Sequence, residues 1–161
     1  MALFESVIAA PPMVKALVAL QGFVVLFIAL HDWVPLGRLN DVKAVQAADS
    51  RVRLVSVTLL STLPFAIGLA ATAWYADTRF PGWLNWWLWI SYGTALYGLL
   101  RAWWIPYLLV PNPVRAARYR TMFGRTITFL PERNGISPNV LHVTLHIVIV
   151  AIAVLLILRM N

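Results

Sequence analysis

Cysteine is absent from this 161-residue chain, which excludes disulfides, thiolate-bound metal and CxxC redox chemistry. Any metal would rest on imidazole and carboxylate, and both are scarce: three histidines, and six Asp plus Glu together. Charge as a whole is thin, at 12% of residues against 61% hydrophobic, a balance that a water-soluble globule of this length does not keep. Glu132 is the only glutamate in the polar connecting segments, and neither a GxSxG elbow nor a glycine-rich phosphate loop occurs. Nucleophilic or paired acid–base catalysis finds no supporting motif. An enzyme would have to act through metal, and the composition favours a protein that is not an enzyme.

What the chain has in abundance is long apolar sequence. Four runs, 13–30, 54–75, 83–105 and 140–160, are each long enough to cross about 30 Å of hydrocarbon as helix. Start signals precede each: Pro11 and Pro12, Asp49 and Ser50, Pro81 and Gly82, and Ser137 followed by Pro138. The expectation is an all-α, integral membrane four-helix bundle, with residues 1–161 a single transmembrane domain and polar loops at 31–53 and 106–139. No basic region stands ahead of the first apolar run, Lys15 being the first base, and no small-residue cleavage pattern follows Leu30, so no removed leader is expected.

The net charge of +7 reads first as topology. Arg38, Lys43, Arg51, Arg53, Arg115, Arg118, Arg120, Arg125 and Arg133 fall in the two long loops, against Lys15, Arg79 and Arg159 on the other side. That bias puts both loops in the cytoplasm and both termini on the non-cytoplasmic side. Trp74, Tyr75, Phe80, Trp83, Trp86 and Trp87 would belt one interface, and Trp33, Trp103, Trp104 and Tyr107 the other. Pro64 predicts a kink relieved by Ser61 or Thr62. Ala66, Gly68, Ala70 and Thr72, and likewise Gly93, Ala95 and Gly98, predict close helix approach.

In the first loop Asp41 caps a short helix over 42–48. In the last, Asn112 caps a segment starting at Pro113, on which Arg115, Arg118 and Arg120 occur together with Tyr119, Met122 and Phe123. Such a mixture lies on anionic headgroups, and without a fold signature it does not indicate nucleic acid. Residues 129–139, FLPERNGISPN, are rich in turn formers and are expected to fold back under the bundle.

The three histidines give the only constellation. His142 and His146, four apart, share one helix face, and the expected topology brings His31, Asp32 and Arg101 to the same leaflet. Three readings stand. The cluster fastens the loops to the bundle, with Asp32 on Arg101. Alternatively, His31, Asp32, His142 and His146 hold a divalent metal such as zinc or iron, or His31 and one of the others hold a b-type haem. In the third reading the cluster lines a cytoplasmic cavity for protons or a small anion, with Arg101 as anion contact, in a homo-oligomer.

Two strings, HDWVPLGRLNDVKAV from His31 to Val45 and FLPERNGISPNVLH from Phe129 to His142, resemble those of uncharacterised small four-span bacterial integral membrane proteins. The resemblance implies a shared bundle and a bacterial inner membrane, and carries no activity. The combined expectation is a non-enzymatic membrane component or interaction subunit, working in a homo-oligomer or with a larger membrane partner.

Overall fold

The computed structural model describes residues 2–160, which are helical with no strand among them. Three helices are long and apolar enough to cross a membrane: α2 (Pro12–Leu30), α4 (Arg51–Trp74) and the last, α8 (Val140–Met160), over Val140–Arg159. The third expected span falls on α5 (Gly82–Leu99), which is not among them. Four indole N–H groups, from Trp83, Trp86, Trp87 and Trp89, together with Asn85, Ser91 and Thr94, make it less apolar than its neighbours. It still continues without a break through a π turn (Leu100–Trp104) into α6 (Ile105–Leu108).

Helix α1 (Ala2–Ala9), an element the sequence patterns do not announce, is tied to the α4–α5 turn by Ser6 Oγ donating to Asp77 Oδ1 at 2.7 Å. It rests on α4, where Ala66, Ala70 and Ala73 are small enough to admit it. Helix α2 packs against α4 and α8, and α5 packs against the same two. Their shared core contains Val14, Leu17, Val24, Phe65, Leu84, Leu88, Tyr92 and Ile152. On α2 the buried residues Val14, Leu17, Gln21, Val24 and Phe27 recur every three or four positions, the spacing of one helix face.

Gly68 faces α5 so closely that a Cβ there would stand 3.1 Å from Leu88 Cδ2. Gly93 and Gly98 do not act in this way: both are exposed, with nothing within 4 Å of an added Cβ. Helix α4 stays helical through Pro64, and the expected relief from Thr62 is missing, since its hydroxyl is buried without a partner. Instead Trp87 Nε1 on α5 donates to the Pro64 carbonyl at 2.9 Å.

The two long loops knit into a cap. Helix α3 (Val42–Ala48), capped by Asp41, lies against α7 (Pro113–Phe123), capped by Asn112. Arg125 reaches Asp41 at 2.7 Å, Arg118 reaches Asp49 at 2.5 Å, and the Ile127 N–H donates to the Arg38 carbonyl at 2.9 Å. Residues 129–139 fold back as expected, around a tight turn in which Asn134 and Gly135 take φ of 54° and 74°. Asn-Gly suits that left-handed pair, and it lets Arg133 and Ile136 exchange two backbone hydrogen bonds at 3.0 Å. Ile136 is thereby driven into a second core with Trp103, Tyr107 and Ala116, where full burial is worth about 1.5–3 kcal/mol.

Candidate functional site

His31 closes α2, one turn beyond Phe27, and its ring stacks on the Phe27 ring at 4.8 Å. Nδ1 lies 3.0 Å from the Phe27 carbonyl and Nε2 lies 3.2 Å from Asp32 Oδ1. Both ring nitrogens therefore face acceptors, and the short Nε2–Oδ1 contact requires a proton between imidazole and carboxyl. Burial pushes the Asp32 carboxyl above its ordinary range; His31 pulls it back, and the nearby Asp49 carboxylate adds to the push.

The opposite wall begins with Asn139, which is 1% exposed. It caps α8 in place of the expected Ser137, because its Oδ1 accepts the backbone N–H of His142 at 2.9 Å. The same oxygen sits 2.8 Å from His142 Nδ1, which assigns the hydrogen to Nδ1 and leaves Nε2 as an acceptor. Around the His142 ring stand Trp103 at 4.8 Å, Phe123 at 5.0 Å and, edge-on, His31 at 5.7 Å. His146 lies a turn deeper, its ring 6.5 Å from that of His142 and 5.9 Å from that of Trp104. It is 5% exposed, and nothing hydrogen-bonds to its Nδ1.

Trp103 connects this cluster to the cap, packing on Tyr119 at 4.4 Å and on Phe123 at 5.5 Å. Its position depends on the π turn. Pro106 offers no N–H to that stretch, and the Arg101 and Ala102 carbonyls are met from α7 by the Arg115 guanidinium and by the Tyr119 hydroxyl at 3.2 Å. Asn134 and Tyr107 complete the seam: Asn134 Nδ2 donates to the Pro106 and Tyr107 carbonyls at 3.2 and 3.1 Å, and the Tyr107 hydroxyl donates to Pro131 at 3.1 Å.

Of the residues singled out by sequence, His31, Asp32 and His142 come together and His146 adjoins them. Arg101 does not join them. Its side chain is exposed, and Asp32 pairs with His31 instead. Among the described residues no group of three or more His, Asp or Glu side chains is placed to hold one metal ion. As the cluster stands, His31 Nδ1 faces the Phe27 carbonyl and Nε2 faces Asp32 Oδ1. The anion reading loses its cation with Arg101 outside. Sequence reasoning missed Asn139, although an Asn immediately before an apolar run is itself a cap signal, and it missed Trp103 as the hub.

No family model, no curated protein and no solved structure matches the chain.

Proposed function

We propose that the protein is a four-span component of a bacterial inner membrane, with both termini outside, that works without catalysis as an interaction subunit through its cytoplasmic cap. The observation that carries this reading is how the histidine cluster spends its hydrogen bonds. His31 is held by Phe27 and Asp32, and His142 by Asn139, so the cluster binds loop to helix rather than presenting a ligand set. The cap supports a seat at the headgroups: exposed Leu109, Val110, Val114 and Phe129 flank a stretch that carries exposed Arg118, Arg120 and Arg125. Apolar side chains in the boundary and arginines on anionic lipid are the pattern of an interfacial segment.

Single cysteines introduced at Arg38 and Thr78 test the topology, the first labelling only from the cytoplasmic side and the second only from outside. Labelling of both from one side overturns it. The non-catalytic role is tested on protein purified from its native membrane, which is expected to carry neither stoichiometric metal nor a Soret band. Bound metal or haem that is lost in His31→Ala would establish the rival reading in its place.

A further inference from the structure

His146, whose Nδ1 the protein leaves without a partner, lines a cleft. Helices α4 and α5 meet tightly at Gly68 and Leu88 and are pinned by Trp87 on the Pro64 carbonyl. From Pro64 toward the cap they enclose a cavity of about 440 Å³ that reaches α8, within the ~300–1,000 Å³ of ordinary ligand pockets. Its rim is mid-helix: Leu60 and Ser61 on α4 and Thr94 and Gly98 on α5 are all exposed, so on helices lying in a bilayer the mouth opens sideways into lipid. Its floor includes the rings of Phe65 and Trp103, and His146.

The chemistry of the occupant is set by the lining. None of the residues around the cavity is Lys, Arg, Asp or Glu, so a carboxylate or phosphate head would be left unpaired in a low-dielectric site. His146 Nδ1, on a side chain 95% buried, has no partner in the protein, and such an orphan is costly unless a ligand meets it. Ala95, Gly98 and Ala102, all small, line the same cavity as the Trp103 indole.

The geometry points to a binding site for a neutral lipid-dissolved molecule with a flat carbonyl-bearing ring, the isoprenoid-quinone class. The ring lies by Trp103 with its oxygen on His146, and the chain leaves between α4 and α5. This site requires only that α4 and α5 lie in lipid, and it is independent of the role proposed for the cap.

The test is quenching of tryptophan fluorescence by ubiquinone-2 titrated into the full chain in nanodiscs, with Trp103→Phe identifying the responding indole. Saturable quenching is expected. His146→Leu should weaken it about tenfold, the worth of one hydrogen bond of about 1.4 kcal/mol. Gly98→Leu should abolish it, and because a Cβ at that position meets nothing within 4 Å the variant fills the mouth without disturbing the fold. Quenching that does not saturate, or that survives Gly98→Leu, overturns the site. Dioleoylglycerol, neutral and carbonyl-bearing but without a ring, should not compete; competition at equal concentration overturns the assignment to a flat head.

Discussion

Replacing Asn139 by alanine removes two interactions through one atom. Its Oδ1 caps α8 and also holds His142 Nδ1, at 2.9 and 2.8 Å, in a position only 1% exposed. Loss of an N-cap costs about 1 kcal/mol. Leaving the Nδ1–H unmet inside a cage of rings adds roughly 1–3 kcal/mol. Asn139→Ala should therefore lose about 2–4 kcal/mol, or roughly 5–12 °C in midpoint for a chain of this size. Asn139→Ser keeps a hydroxyl for the cap but cannot reach the ring, so it should recover only the smaller part. Thermal unfolding in a fixed detergent, followed by near-UV circular dichroism of the clustered tryptophans, measures all of these. A double-mutant cycle with His142→Phe isolates the side-chain link, expected at about 1–2 kcal/mol of coupling. Coupling near zero, or Asn139→Ala within about 0.5 kcal/mol of the parent, would refute the claim that this residue fastens helix to cluster.

Three further outcomes are expected. Gly135→Ala puts a side chain at φ 74° with its Cβ 2.9 Å from Ala116 Cβ, and should cost about 2–4 kcal/mol and release Ile136, seen as faster hydrogen exchange across 129–139. Gly68→Val presses on the fully buried Leu88 and should cost about 1–3 kcal/mol in the same unfolding assay, whereas Gly93→Val, facing open space, should change little. Asp41 is held below the ordinary carboxylate range by the Ala44 N–H and then by Arg125, so its contribution is complete above the unfolded value near ~3.9 and is lost as pH falls through the lower folded one. Exchange protection in α3 should drop in that acid window, and Asp41→Asn should abolish the dependence. Asp32, pushed upward by burial, has the opposite sign: its contribution declines as pH rises from the unfolded value through the raised one.

Local signals in the chain predict local structure well. Asp41 and Asn112 cap the helices expected of them, and Asn134-Gly135 makes the expected turn, because each depends on residues within four positions. The apolar runs at 13–30, 54–75 and 140–160 coincide with α2, α4 and α8 for the same reason. Partnerships across helices were not legible. Asp32 takes its neighbour His31 rather than Arg101, and the direction of Arg101 depends on a π turn that no periodicity announces. Pro64 is answered by an indole 23 residues away, which composition cannot place. Glycines show the limit best: Gly68 and Gly93 look alike in sequence, yet one is wedged against Leu88 and the other faces outward.

The widened turn at Leu100–Trp104 is in effect one residue more than a regular helix would use, so it fixes the phase of α6 relative to α5. Closing that turn to ordinary winding with the same number of residues would swing everything downstream through about 100°. Trp103 would rotate out of register with Tyr119, while the apolar stretch before it kept its own orientation. Insertions elsewhere in the connecting segments merely lengthen a path, but the winding at this one place aims the whole lower assembly.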